Sequence, residues 1–290
     1  MGDDNTIKIL FFGDMVGRPG RYAVRDFLNG QFNSMPGNPE LLNAPSPFTL
    51  QTSHFVIANV ENASHGFGLT EKNYNEISDY GVDCMTSGNH IWDKREIFNY
   101  IDNAEKLLRP VNYPKCCAGA GSRIFEKDGV KIGVINVLGS VFLNIVDSPW
   151  NIIKEEIQKL KEVTPIVIID FHAEATAEKI CFGRFCSEMG VSAFFGTHTH
   201  VQTADESIIN HMGYITDAGF CGAVDSVIGM DYKTSLARFL TSIPERYDVA
   251  DSDRVQVNAV EVEIEKDTGY AVAIKRIFCS RNSKEKETGQ

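Results

Sequence analysis

The chain has 290 residues, of which 43% are hydrophobic and 23% charged, an ordinary balance for a folded globular protein with enough material for one large core. Its net charge of −11 argues against broad binding to nucleic acids or membrane surfaces, because polyanions would be repelled on average. No apolar run approaches the ~20 residues of a membrane span, and the N-terminus opens on Asp3 and Asp4, unlike a signal peptide.

The seven cysteines are odd in number and contain no C-x-x-C pair. Most of them stand among apolar neighbours, which predicts reduced and mostly buried thiols in a cytoplasmic protein. Thiolate ligation of a metal is not indicated.

The N-terminal third begins with an apolar run at residues 7–12 that predicts a buried strand ending at Gly13 and Asp14. A glycine-rich loop and a helix over residues 22–28 follow. This loop lacks both G-x-G-x-x-G and the G-K-[ST] of a P-loop, so neither nucleotide-binding motif is assigned. Residues 29–52 contain four prolines and no periodicity, which indicates a surface insertion, with a binding loop as the alternative.

Two further strands are predicted before residue 90, each followed by polar residues. The run 55–60 ends at Glu61 and Asn62, and Thr70 then caps a helix that extends to about residue 80. The run 84–86 leads into the sequence Ser-Gly-Asn-His at 87–90. Asp93 is predicted to cap a helix that ends at Ile101.

The second half alternates strands with helices and adds two hairpins. Apolar and polar residues alternate over 123–137 and 255–278, on either side of an Asp-Gly and an Asp-Thr-Gly turn respectively. This pattern predicts two hairpins of antiparallel strands. Strands at 166–169, 191–195 and 214–216 are interleaved with helices at 149–163 and 173–188, and residues 280–290 form a frayed tail. With no linker or repeat, the pattern favours one domain, 1–290, built as an α/β four-layer α-β-β-α sandwich.

The segment Gly196–His200 delivers two histidines directly after an apolar run. If the strand continued through them, alternate residues would place both imidazoles on one face. Imidazole is a common ligand for Mn, Fe and Zn.

Residues of metal-ligand type follow five separate apolar runs, at the carboxyl ends of strands, where open α/β sheets place their sites. Each residue alone has an ordinary explanation as a turn former or a hydrogen-bonded histidine, but their recurrence indicates a site. Imidazole, carboxylate and amide oxygen together suit Mn, Fe or Zn. The candidates exceed what one tetrahedral ion needs and suit two ions that generate hydroxide and neutralise phosphoryl charge. They are Asp14, Glu61, Asn62, Asn89, His90, His172, His198 and His200.

These residues stand in motifs that resemble the YmdB-type branch of the calcineurin-like metallophosphoesterases. The motifs are G-D at 13–14, E-N at 61–62, G-N-H at 88–90, DFHAEAT at 170–176 and GTHTHVQTAD at 196–205. The resemblance spans residues 7–278 except the proline-rich insertion. It implies the same four-layer sandwich and a binuclear-metal phosphodiesterase acting on cyclic nucleotides such as 2′,3′- and 3′,5′-cyclic AMP.

The resemblance also implies a role for each candidate. Asp14 and His200, with Asn62, would hold one ion; Asn89, His172 and His198 would hold the other; and Glu61 would bridge the two. The wider superfamily has G-D-x-H at the first block, whereas Val16 stands at the histidine position here, so Asn62 is the natural substitute. His90 resembles the family's catalytic histidine, and it would protonate the leaving oxygen or steady phosphoryl charge.

The expected cofactors are two metal ions per chain, Fe or Mn with Zn as an alternative, and the expected partner is a small phosphodiester. A homo-oligomer is compatible with the sequence. The alternative functions are a phosphomonoesterase or nuclease with the same metals, and a non-catalytic signalling or RNA-associated binding protein. Four residues near the motifs are weaker candidates. Arg18 could contact a phosphate or simply be solvated, Glu174 and Asp217 could orient imidazoles, and Asp93 could polarise His90 as an alternative to capping a helix.

Overall fold

The computed structural model describes residues 5–32 and 54–282. Its strands are β1 (Thr6–Phe12), β2 (Asp14–Met15), β3 (His54–Asn59), β4 (Cys84–Thr86), β5 (Ser122–Lys127), β6 (Val130–Leu138), β7 (Val167–His172), β8 (Ala193–Thr197), β9 (Ser207–Ile209), β10 (Met212–Ile215), β11 (Phe220–Ala223), β12 (Arg254–Glu265) and β13 (Ala271–Asn282). Its α-helices are α1 (Gly17–Leu28), α2 (Glu71–Asp79), α3 (Pro149–Lys161), α4 (Thr176–Ser187) and α5 (Tyr232–Thr241).

The strands form two sheets. The first has the order β2-β11-β12-β1-β3-β4, with β13 also paired to β12, and the second has the order β5-β6-β7-β8-β10-β9. β1, β3 and β4 are parallel to one another, and so are β6, β7, β8 and β10. The hairpins β5–β6 and β12–β13 are antiparallel, as their turn sequences predict.

Three layers of apolar side chains separate the helices and the two sheets. Successive side chains of β1 point to opposite faces of its sheet and so contribute to two of these layers. Phe11 points between the sheets and stacks on Phe195 of β8, with ring centroids 4.3 Å apart. Phe12 points to the opposite face and meets Phe27 of α1 edge-on at 5.5 Å. A further cluster lies between the second sheet and helices α3 and α4. The resulting order is helix, sheet, sheet, helix, so the predicted four-layer sandwich is confirmed.

One predicted helix is wrong. The segment after Asp93 forms two short 3₁₀ helices, Arg95–Asn99 and Ile101–Asn103, rather than an α-helix to Ile101. Lys94, not Asp93, occupies the N-cap, and the backbone bonds run to the third preceding carbonyl. This tighter winding buries Ile97, Tyr100 and Ile101 together, which explains the departure. The Asp93 carboxylate instead accepts from His90, as described below.

Other differences concern elements with weak local signals. Four elements were not predicted from the sequence: β2, β9 and β11, which are short, and α5, in which Ser235 is the one buried residue. Helix α1 begins at residue 17, five residues before the predicted start. Most of the predicted insertion, residues 33–52, and residues 283–290 of the tail lie outside the described residues. Residues 280–282 belong to β13, where Asn282 pairs with Arg254.

All seven cysteines are free. Cys84, Cys186 and Cys221 are buried as predicted, whereas Cys116 and Cys181 are exposed. Over the described ranges, no helix combines the length and the apolarity needed to cross a bilayer.

Candidate metal centre

Loops that follow parallel strands from both sheets meet at one edge of the sandwich. Asp14, Glu61 and Asn89 come from the ends of β1, β3 and β4, while His172 ends β7 and His198 follows β8. Because the strands within each set are parallel, their carboxyl ends lie on the same side, which brings these residues together.

His172 is the centre of this group and is fully buried. Its Nε2 atom lies 3.1 Å from Oε1 of Glu61, 3.2 Å from Oδ1 of Asn89 and 3.0 Å from Nδ1 of His198. Glu61, His172 and His198 each offer a ligand atom within 4.8 Å of the others, a spacing suited to one metal ion. The structure therefore groups the residues that the resemblance assigns to the second ion.

The other nitrogen of His172 has a partner that fixes its tautomer. The Thr197 hydroxyl donates to Oδ1 of Asp170 at 2.7 Å, so its oxygen is free to accept from Nδ1–H of His172 at 3.0 Å. Because Nδ1 is committed to this bond, Nε2 is the nitrogen that faces Glu61 and Asn89 and that would bind a metal once its proton is displaced. This arrangement of carboxylate, hydroxyl and imidazole is typical of the outer partners of a metal-bound histidine.

His198 and His200, like His172, each have one ring nitrogen close to an oxygen acceptor outside the group of candidate ligands. Nε2 of His198 lies 3.1 Å from the Glu174 carboxylate, and Nδ1 of His200 lies 2.8 Å from the carbonyl oxygen of Ile228. Both oxygens can only accept in these contacts, so each imidazole donates there and keeps its second nitrogen for the site. Glu174, whose role the sequence left open, therefore orients His198.

Asp14 and Asn62 form the second half of the group with His200. Nε2 of His200 is 3.7 Å from Oδ1 of Asp14 and 3.2 Å from Nδ2 of Asn62, which also donates to Oε1 of Glu61 at 3.2 Å. Glu61 thus contacts both halves. In this rotamer Asn62 presents its NH₂ group, so ligation through Oδ1 requires the amide to rotate by half a turn.

The two histidines after β8 do not reach the site as alternate residues of a strand. β8 ends at Thr197, and His198 and His200 have φ angles of 99° and 63°. The intervening Thr199 is held by Asp217, which accepts from its backbone N–H at 3.1 Å and its hydroxyl at 2.7 Å. The expectation of a continuing strand was wrong, because these left-handed residues turn the chain at the sheet edge. Asp217 supports this turn and also pairs with Lys179 at 2.6 Å.

The charges at the site are strongly coupled. Burial alone would raise the pKa of Asp14. The imidazoles of His200 and His172 and the His198 N–H have the larger, opposite effect, so this pKa lies well below its ordinary range. Burial likewise opposes ionisation of Glu61, yet His172 and His90 bring its pKa down to about 2. Burial lowers the pKa of His172, but Glu61, Asp14 and Asp170 raise it to about 9. Without a cation, the buried carboxylates are therefore balanced by a proton on His172.

His198 behaves in the opposite way. Burial and the positive charge of neighbouring His172 lower the pKa of His198 to about 3, so its ring stays neutral. A neutral imidazole with an inward-facing nitrogen is the form that binds a metal.

Two observations test whether this group fits a metal. Oδ1 of Asp14 is buried without a hydrogen-bond partner, although buried carboxylate oxygens normally have one. Gly88 leaves a cradle, because a Cβ atom there would lie 2.3 Å from Cδ2 of His172 and 2.4 Å from Oε2 of Glu61. With three inward-facing imidazoles, these features fit divalent ions bound by nitrogen and oxygen.

A set of buried polar residues behind the ligands was not singled out as part of the site from the sequence. The Nδ2 group of Asn59 donates to Asp170 at 3.0 Å, and its Oδ1 accepts from the Glu61 backbone N–H at 3.2 Å. Asn136 accepts from the Ser87 N–H at 3.0 Å and fixes the loop that carries Asn89. The available signal was polar residues inside otherwise apolar strands, where burial requires hydrogen-bond partners.

His90 lies at the mouth of the site with a partly exposed side chain. Its backbone N–H donates to Oε2 of Glu61 at 3.0 Å, and its Nδ1 lies 2.8 Å from Oδ2 of Asp93. Its ring meets the Phe67 ring edge-on at 4.9 Å. Asp93 therefore orients His90 instead of capping a helix. Arg18 is exposed, lies over the Tyr22 ring at 5.4 Å and lines an adjacent cavity.

A model of the YmdB-like protein family matches residues 42–277 of the chain. The chain is 42% identical to a 2′,3′-cyclic-nucleotide 2′-phosphodiesterase from Bacillus subtilis, over 94% of this chain and 97% of that protein.

Two solved structures share the fold. One, described as a novel phosphatase from Mycoplasma pneumoniae, superposes with a TM-score of 0.81 at 33% identity, covering 96% of this chain and 95% of that one. The other, a hypothetical protein from Thermus thermophilus, gives a TM-score of 0.78 at 32% identity, covering 94% and 98%. The resemblance read from the motifs is thus confirmed by independent comparisons over nearly the whole chain. The chain belongs to the YmdB-like family.

Proposed function

We propose that the protein is a phosphodiesterase that uses two metal ions to hydrolyse cyclic nucleotides, with 2′,3′-cyclic nucleotides as the first candidates and 3′,5′-cyclic nucleotides as the second. The observation that carries the proposal is the common orientation of His172, His198 and His200. Each ring commits one nitrogen to an oxygen acceptor and directs the other inward. The similarity to the Bacillus subtilis cyclic-nucleotide phosphodiesterase supports the substrate class.

In this proposal Asp14, His200 and Asn62 would hold one ion and Asn89, His172 and His198 would hold the other, and Glu61 contacts both groups of residues. When bound, a pair of divalent ions supplies the Lewis acidity that activates water and neutralises charge on the phosphoryl oxygens. Fe and Mn are the favoured metals and Zn is the alternative, because all three accept imidazole with carboxylate.

His90 supplies the proton that the leaving oxygen needs. Its Nδ1 bonds to Asp93 at 2.8 Å, which fixes the ring and leaves Nε2 as the nitrogen that can donate to substrate. As the oxygen of water bonds to phosphorus, the P–O bond to the ribose breaks and the proton moves from Nε2 to the departing ribose oxygen, while Asp93 accepts from Nδ1–H and holds the ring in place.

His90→Ala tests this role. We expect turnover to fall by about 10²–10⁴-fold, the usual contribution of a general acid, while elemental analysis finds the same metal content as in the wild type. Loss of metal from the variant would make His90 a ligand instead. Asp93→Asn is the matched variant, because it keeps the ring's neighbour in place and removes only its charge.

The nearest alternative is a phosphomonoesterase with the same metal residues, which the phosphatase description of the Mycoplasma pneumoniae structure favours. Parallel assays on 2′,3′-cyclic AMP, 3′,5′-cyclic AMP, bis-p-nitrophenyl phosphate and p-nitrophenyl phosphate separate the two. Faster turnover of the monoester than of every diester would refute the phosphodiesterase. A metal-loaded protein inactive on all four would instead favour a binding role.

The expected location is the cytoplasm. Its support is the set of seven free cysteines, since reduced thiols are characteristic of that compartment.

A further inference from the structure

A cavity of about 500 Å³ opens beside the candidate metal centre. This volume is in the range of small-molecule binding sites. Four segments line it: the start of α1, the loop at 65–67, Lys94 and residues 246–251. None of its lining residues is a candidate metal ligand.

The walls of the cavity are joined to the site by direct contacts. Gly17, which precedes Arg18, donates its N–H to the Asn62 carbonyl at 2.9 Å. Phe67 lines the cavity and its ring contacts His90 with a centroid separation of 4.9 Å. Phe67 therefore belongs both to the wall of the cavity and to the surroundings of the proposed acid.

The lining offers three cations: Arg18, Lys94 and Arg246. No carboxylate of residues 5–32 or 54–282 forms a salt bridge with any of them, although Asp248 and Asp251 also line the cavity. The lining therefore holds three cations against two aspartates, a small positive excess at one opening of a chain whose net charge is −11. Arginine in this setting suits a phosphate, which its planar fork can bind through two oxygens.

Aromatic rings accompany these cations. Phe67 and Tyr247 line the cavity with ring centroids 6.4 Å apart, and the Arg238 guanidinium lies over the Tyr247 ring at 4.0 Å. Aromatic faces beside arginines are the usual platform for a nucleobase next to its phosphate. The lining thus combines the two chemistries of a nucleotide.

We infer that the cavity binds a second phosphate of the substrate, in addition to the one that is cleaved, so that the preferred substrates are cyclic-phosphate nucleotides carrying another phosphate on the same nucleoside. This inference rests on the proposed function for the identity of the cleaved phosphate. The second phosphate comes either from a 5′-phosphorylated mononucleotide or from the last internal linkage of an oligonucleotide.

The kinetic test compares kcat/KM for adenosine 2′,3′-cyclic phosphate, its 5′-phosphorylated form and the dinucleotide ApA ending in a 2′,3′-cyclic phosphate. We expect the wild type to prefer a substrate with two phosphates by about tenfold, which corresponds to about 1.4 kcal/mol. Arg18→Ala and Arg246→Ala should remove most of that preference. Arg95→Ala is the matched control, because Arg95 is exposed, next to Lys94, and does not line the cavity.

A preference confined to the 5′-phosphorylated mononucleotide would identify processed nucleotides as the source, and a stronger preference for the dinucleotide would identify RNA ends. No preference in the wild type, or one that both arginine variants retain, would overturn the inference.

Calorimetric binding to the metal-free protein separates this inference from the proposed function. Adenosine 3′,5′-bisphosphate should bind about tenfold more tightly than 3′-AMP, and the difference should vanish in Arg246→Ala. A protein that keeps this difference but cleaves no cyclic nucleotide would refute the proposed function alone. A protein that cleaves cyclic AMP but shows no difference would refute the second phosphate site alone.

Discussion

Gly88→Ala tests whether the candidate ligands must approach as closely as they do. The glycine φ is not in the left-handed region, so alanine is compatible with the backbone itself. The added Cβ would lie 2.3 Å from Cδ2 of His172, whereas real Cβ atoms essentially never come within 3.0 Å of another heavy atom. His172 or the loop must therefore move by about 0.7 Å, a shift comparable with the ~1 Å misplacement that costs about 10²-fold in activity.

The assay has two parts. Manganese binding measured by calorimetry should weaken by about 10–100-fold, as for loss of a ligand-orienting contact, and urea unfolding should show a loss of about 1–3 kcal/mol from overpacking. Gly133→Ala is the control, since its Cβ would meet the flexible Leu160 side chain at 3.0 Å, away from the site. It should lower stability without changing metal affinity. Wild-type affinity and turnover in Gly88→Ala would refute the close packing of Glu61 and His172.

Three further predictions follow from the hydrogen bonds and charges of the structure. Asp170→Asn leaves one acceptor oxygen for two donors, the Asn59 NH₂ at 3.0 Å and the Thr197 hydroxyl at 2.7 Å. We expect manganese affinity to fall by about 10–100-fold, and an unchanged calorimetric titration would contradict this. Because the pKa of His172 is raised to about 9 without metal, the ion must displace a proton, so apparent affinity should rise by up to about tenfold per pH unit between about pH 6 and 8. Titrations in buffers of different ionisation enthalpy measure this proton, and equal heats would exclude its release. Finally, burial opposes ionisation of Glu261, but bonds from His54 and Lys275 lower its pKa from 4.5 to about 2. Since the pKa of Glu261 is lower in the folded state than in the unfolded state, this stabilisation is complete above about pH 4.5 and is lost towards pH 2. In urea unfolding, Glu261→Gln should therefore lower the free energy of unfolding by about 1–2 kcal/mol at pH 7, allowing for solvent screening, and should have no effect near pH 2.

The sequence determined those features whose signals are local. The Asp128–Gly129 turn specifies its hairpin, and Thr70 caps α2 by accepting from the Asn73 N–H at 3.3 Å. Polar residues after apolar runs indicated the strand ends that carry the candidate ligands, because a buried strand must end where polar groups return to the surface or to a site.

Tertiary structure alone decided the partners of those residues. From the sequence, Asp93 could either cap a helix or polarise His90. It contacts His90, because the next turns wind tightly to bury Ile97 and Ile101. His198 and His200 enter the site through left-handed backbone that no pattern of alternation reveals.

The buried hydrogen bonds behind the ligands and the cavity also depend on contacts between residues that are distant in the sequence. Asn59 and Asp170 are 111 residues apart in the sequence and form one hydrogen bond behind the candidate ligands. The cavity beside the candidate metal centre is lined by four separate segments of the chain. The amino-acid sequence by itself determined which residue types follow each strand, since propensity and burial act over a few residues. Only the stacking of two mixed sheets decided which of these residues meet, because their contacts depend on register and on crossover connections between distant parts of the chain.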